Sequence, residues 1–166
     1  MSGASPRTVA DELLAQIEAT HQGDPWYGGS RAAMLENITA RQAASHPIPN
    51  AHSIWELVLH MTAWTNEVRR RLGGAEPGEP TEGDWPPVPS PTSAAWYKAL
   101  QDLEDANTAL LADARSMPSE RWLEPVGDNR DAPLGTGVTI GAMLVGLAQH
   151  DAYHTGQVAL LCKALE

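Results

Sequence analysis

The chain has 166 residues, 42% of them hydrophobic, which suits a single globular domain over residues 1–166, long enough to bury about 70% of its unfolded surface. Its net charge is −10, with 21 acidic against 11 basic side chains, a balance that repels phosphate backbones and disfavours nucleic acid as a partner. No apolar run reaches about 18 residues and Met1 to Arg7 carries no apolar stretch, so neither a membrane span nor a signal peptide is expected.

In chain order, Ser5-Pro6 is a helix start, a capping hydroxyl followed by proline at the first helical position. Val9, Leu13, Ile17 and His21 follow at helical spacing, and His21 at the end of the segment reads as a solvated C-terminal histidine. Gly23-Asp24-Pro25 breaks the helix, Trp26 to Gly29 is a turn, and Ser30 caps a second segment with Met34, Leu35 and Ile38 on one face. Residues 6–44 thus form one long arm, broken near 23–29.

The prolines of His46-Pro47-Ile48-Pro49 keep the next stretch extended. Ser53 and Glu56 form a capping box, and the helix they open carries Ile54, Leu57, Val58, Met61, Trp64, Val68 and Leu72 before stopping at Gly73-Gly74. His60 lies on or beside its buried face. Arg69-Arg70-Arg71 at its end complements the helix dipole. Residues 73–92 hold six prolines and no periodic pattern, which makes them a crossover, with Trp85 expected to pin it to the body.

A third long helix is expected from about Thr92 to Met117, with Trp96, Leu100, Leu103, Asn107, Leu110 and Ala114 inward and Asn107 as a satisfied core amide. Residues 118–138 read as irregular, and a last helix opens near Thr139. No stretch sustains period-2 alternation, so little or no sheet is expected. Four amphipathic segments of this length make an all-α fold, a four-helix bundle with long crossover connections. Tryptophan, present six times where phenylalanine is absent, carries much of the aromatic packing. The lone Cys162, beside Leu160 and Leu161, reads as a small core residue in a reducing cytoplasm.

The last helix carries the most informative pattern. Its apolar stripe runs Ile140, Met143, Leu144, Leu147, then Val158, Leu161 and Leu165, and His150 and His154 fill the gap. Four residues apart, they share one helix face about 6 Å from each other along the axis, the spacing by which a helix offers two imidazoles to one metal ion. His60 is the other histidine placed mid-helix near an apolar face. The residues therefore propose a site of His60, His150 and His154 with at least one coordination position open, against the plainer reading of separate core histidines bonded to carboxylates. Neutral imidazoles suit a divalent transition metal, Zn²⁺ or Ni²⁺ foremost, with Fe²⁺ and Cu²⁺ also compatible. Glu56, Asp151 and Gln157 are candidates for orienting the rings, although each is as readily a capping or solvated residue. No phosphate loop, Gly-x-Ser-x-Gly or Cys/His/Asn arrangement is present, and no catalytic residue is assigned.

Three stretches, Trp26 to Ser30, His52 to Trp64 and Gln149 to Gln157, together resemble the DinB/YfiT-like superfamily of damage-inducible metalloenzymes. The resemblance covers nearly the whole chain. It implies a four-helix bundle, often a homodimer, with a divalent metal on three histidines, which here are His60, His150 and His154. It also implies a cytoplasmic protein of stress or detoxification that transfers a low-molecular-weight thiol, bacillithiol or mycothiol, to an electrophilic small-molecule substrate. A metal-dependent hydrolase and a non-catalytic metal-binding or dimerisation module are the alternatives.

Overall fold

The computed structural model describes residues 8–166, so the expected Ser5-Pro6 helix start lies outside the described residues. Helix α1 (Val9–Gln22) opens instead on Thr8, whose hydroxyl accepts from the Asp11 amide while the Asp11 carboxylate accepts from the Thr8 amide. Short helices α2 (Arg31–Leu35) and α3 (Ala40–Ala43) follow, capped by Ser30 and Thr39, so the N-terminal arm breaks twice rather than once. Helix α4 (Ile54–Leu72) has the Ser53/Glu56 capping box. Thr92 caps α5 (Ser93–Ser116) and Thr139 caps α6 (Ile140–Ala164). Residues 118–138 are less irregular than expected. A 3₁₀ turn (Ser119–Leu123) leads into β1 (Pro125–Val126), which pairs antiparallel with β2 (Val138–Thr139) and delivers the chain to the start of α6.

The long helices α1, α4, α5 and α6 form a four-helix bundle. Both α1 and α4 pack on α5 and on α6, with the broadest packing between α4 and α5, which sets α1 diagonally across from α4. The core is divided along the bundle axis. At one end Trp55, Leu57, Met61, Trp96, Leu103, Val158 and Leu161 pack together. At the other, Ile17, Val68, Leu72, Leu110, Leu144 and Leu147 do so. Between them α4, α5 and α6 pass through a polar layer: His60 and Thr65 on α4, Asn107 on α5, Asp151, His154 and Thr155 on α6, all buried. The gap in the α6 apolar stripe is that layer. Asn107 is satisfied on one side only, its Nδ2 donating to Leu103 O at 2.8 Å while Oδ1 is buried without a partner.

The layer continues into α1 and α2 through a buried ionic knot. The Arg31 guanidinium, fully buried, lies 3.1 Å from Asp151 Oδ2 and 3.3 Å from Met61 Sδ, and its Nη2 donates to His21 Nδ1 at 3.0 Å. His21 is therefore a buried member of the network, not a solvated helix end, because α1 and α2 fold back against α6 and cover it. A guanidinium only donates, so His21 Nδ1 must be an acceptor and the ring neutral. Arg71 does lie in the last turn of α4, and it has a further role: it is buried, donating to Glu67 Oε1 at 2.8 Å, Leu134 O at 2.6 Å and Gly78 O at 2.9 Å, so it also ties two loops to α4. Burial alone would raise the Glu67 carboxyl, but bonds from Arg71, Arg70 and the Gly78 amide hold it below its usual range.

Burial first, then the charge of Arg31, push His21 down from 6.5 to about 4. Between those values the unfolded chain binds a proton that the folded chain refuses, so this contribution to stability is complete above about pH 6.5 and is lost as the pH falls toward about 4. Urea unfolding at stepped pH is expected to show this decline, at up to about 1.4 kcal/mol per pH unit for one proton. His21→Leu is expected to flatten it by that one proton.

Candidate metal centre

Helical geometry brings two of the three histidines together and the bundle brings the third. One ring nitrogen from each of His60, His150 and His154 lies within 4.8 Å of the others, a cluster that could hold a metal ion. His60 Nε2 and His150 Nε2 are 2.9 Å apart. The rings of His60 and His154 meet edge to face, as do those of His150 and His154.

Each ring has something at its far nitrogen. His60 Nδ1 lies 2.6 Å from the Asp84 carbonyl, which can only accept, so Nδ1 carries the hydrogen and Nε2 presents a lone pair. His154 Nδ1 lies 2.7 Å from Gln157 Oε1, with the same consequence. His150 Nδ1 faces Asp151 Oδ1 at 3.5 Å, and both atoms are buried without a hydrogen bond. These tautomers explain the orphan pair. With His60 Nε2 as acceptor, the 2.9 Å contact needs the His150 hydrogen on Nε2, which leaves His150 Nδ1 as a bare acceptor against a carboxylate oxygen. A cation on the Nε2 side removes the conflict: His150 then carries its hydrogen on Nδ1, directed at Asp151. The donor set fits a divalent transition metal on this ground, each ligand ring having an acceptor on its opposite nitrogen.

Burial lowers the pKa of His60, with the neighbouring His150 adding to the effect, and lowers that of His154 to about 4, so both imidazoles are neutral at pH 7, the form that ligates. Burial alone would raise the Asp151 carboxyl, but the Arg31 guanidinium beside it and the His150 ring hold it low.

The orienting candidates divide. Gln157 meets His154 and Asp151 stands between His150 and Arg31. Glu56 does not meet His60: its carboxylate accepts from the Ser53 amide at 2.6 Å and pairs with His46 Nε2 at 3.0 Å. A side chain at this helix position reaches back toward the cap, away from a residue one turn further on.

Two residues the sequence reading missed, Asp84 and Arg31, complete the surroundings together with Trp85 and Asp151, which it named. Asp84, which anchors His60 by its carbonyl, also accepts from Trp64 Nε1 at 2.7 Å through Oδ1. Trp85 does pin the crossover: its indole lies between the rings of His52, 3.5 Å away, and His60, 3.9 Å away, nearly parallel to both. Arg31 had a legible signal, since it shares a helix face with Leu35. Asp151 likewise falls on the stripe Leu147, Asp151, His154, Val158. His150 is the part-exposed member of the triad and lines a cavity of about 310 Å³.

Among known families, the model described as the DinB superfamily matches residues 31–158. The match takes in all three histidines and more than half of the chain, which therefore belongs to that superfamily. No curated protein matches the chain and no solved structure does.

Gln157→Leu removes the acceptor at His154 Nδ1 while keeping the side chain's bulk at a part-exposed position. Metal affinity measured by chelator competition is expected to fall about 10- to 100-fold, with little change in stability.

Proposed function

We propose that this DinB-superfamily chain is a metal-dependent enzyme that transfers a low-molecular-weight thiol, of the bacillithiol or mycothiol kind, to an electrophilic small molecule, in stress or detoxification. The observation that carries the reading is the juxtaposition of the histidine cluster with a cavity: His150 belongs to both, and the rest of the cavity wall is largely apolar, including Trp64, Val68, Met143 and Leu147. A volume of about 310 Å³ falls at the lower end of small-molecule sites. A module that only stores or senses a metal has no use for such a space.

His60, His150 and His154 would hold the ion, Zn²⁺ or Ni²⁺. When bound, the ion supplies the acidity that keeps a thiol deprotonated at neutral pH. The chain's own residues do the rest. The Asp84 carbonyl and Gln157 fix two of the rings with their lone pairs convergent, and Trp85 shields the His60 face from water. The apolar wall excludes water that would compete with sulfur for the electrophile. In the transfer, a sulfur electron pair forms the new C–S bond, the leaving group departs with its bonding pair, and the thiol proton passes to solvent. No protein thiol is needed. Burial, aided by the charge of Glu166, raises the Cys162 pKa, the reverse of what a nucleophilic cysteine requires. Metal-assisted hydrolysis ranks lower because the cavity wall contains no carboxylate to act as general base toward water.

Metal-loaded protein is expected to accelerate the reaction of bacillithiol or mycothiol with monobromobimane or chlorodinitrobenzene, and His154→Ala to lose that acceleration. Rates equal to those of metal-free protein with every thiol tried would contradict the proposal.

A further inference from the structure

The cavity beside His150 has a charge character that the chain as a whole lacks. In a protein of net charge −10, its wall contains no aspartate or glutamate, and the lysine and arginine side chains in it are Arg71 and Arg130. The two guanidinium groups differ. Arg71 is committed: all three of its nitrogens donate to protein acceptors, and its charge is balanced by Glu67. That carboxylate also accepts from Arg70.

Arg130 is anchored but not satisfied. Its Nη1 donates to the carbonyls of Asp131 at 2.9 Å and Thr136 at 3.1 Å, which fixes the plane of the guanidinium. Exposed at the cavity rim, it forms no ion pair among the described residues, and none of them bonds its Nε or Nη2. The loop that carries it is itself braced: Thr136 Oγ1 accepts from the Asp131 amide and donates to Asn129 O, and Gly137 passes so close to the Arg130 backbone that a Cβ there would stand 2.6 Å from it. A guanidinium held by one corner with a free edge is preorganised for a carboxylate, which can accept two parallel bonds from such an edge.

We infer that Arg130 is the anion-binding end of this cavity, and that the molecule bound there has an apolar body carrying a carboxylate, its other end directed toward His150. That the bound molecule is a substrate rests on the thiol-transfer reading, and within that reading it is the electrophile. The apolar wall gives a hydroxyl-rich thiol few partners, whereas it suits the hydrocarbon body of an organic acid.

Calorimetric titration of the full-length protein with 4-phenylbutyrate and with its uncharged isostere 4-phenylbutyramide tests this. The acid is expected to bind at least about tenfold more tightly than the amide, as the loss of a charge-assisted hydrogen bond implies. Arg130→Ala is expected to abolish that preference, Arg130→Lys to keep part of it, and Arg115→Ala, a surface control paired with Glu18 on the helices away from the cavity, to leave it unchanged. Equal binding of acid and amide, or no binding of either, would overturn the inference. So would a preference for the acid that survives in Arg130→Ala, since the carboxylate would then be bound elsewhere, including on a metal. The titration contains no thiol and reads no turnover. The thiol-transfer reading can therefore fail while this result stands, and this subsite can fail while transfer to an uncharged electrophile proceeds.

Discussion

Three imidazoles converging on one point inside a helical bundle are a constraint that the surrounding structure has to answer. Apolar packing cannot supply it, because buried nitrogens without partners cost free energy. The bundle answers by placing a polar layer across its middle, between two apolar clusters that hold the helix ends together. Within that layer the far nitrogen of two rings meets a fixed acceptor and that of the third faces a carboxylate. The arrangement leaves two atoms, His150 Nδ1 and Asp151 Oδ1, in a conflict that a cation would relieve. The layer thus gathers three histidines that could hold a metal ion.

The polar layer also links parts of the chain that would otherwise be independent. Asp151 joins the histidine-bearing side of α6 to Arg31 and His21, so the N-terminal helices α1 and α2 are tied to the same polar network as the histidine cluster. From the other side, the proline-rich crossover reaches the site through Asp84 and Trp85. A segment without regular structure is thereby anchored at the site. Buried ion pairs of the Arg31–Asp151 kind contribute little net stability compared with apolar packing.

Much of this was legible in the sequence. Helix starts were readable because hydroxyl caps act locally, as Ser53, Thr92 and Thr139 show. The His150/His154 pair was readable because helical spacing fixes which residues share a face, and His60 because it lies beside the apolar stripe of α4. Arg31 left only the signal of a helix face shared with Leu35, and its role was not readable, since a charged residue is read as surface unless its partner is known and Asp151 lies 120 positions further on; His21, at a helix end, was read as solvated for the same reason. Asp84 was missed for another reason. It acts through a backbone carbonyl, which any residue type could supply, from a segment with no period to place it. Glu56 was read as a candidate because helical distance from His60 was counted without its direction; at the start of a helix the side chain turns back to the cap. The cavity, made by loops at 130–138 meeting α4 and α6, leaves no pattern in sequence at all.

The most direct measurement is metal stoichiometry by elemental analysis of untagged protein, together with that of His60→Ala and His154→Ala folded to the same extent by circular dichroism. The account predicts about one divalent transition-metal ion per chain in the parent protein and loss of that ion in both variants. A parent protein that takes up no ion when offered Zn²⁺ or Ni²⁺, or variants that retain it fully, would contradict it.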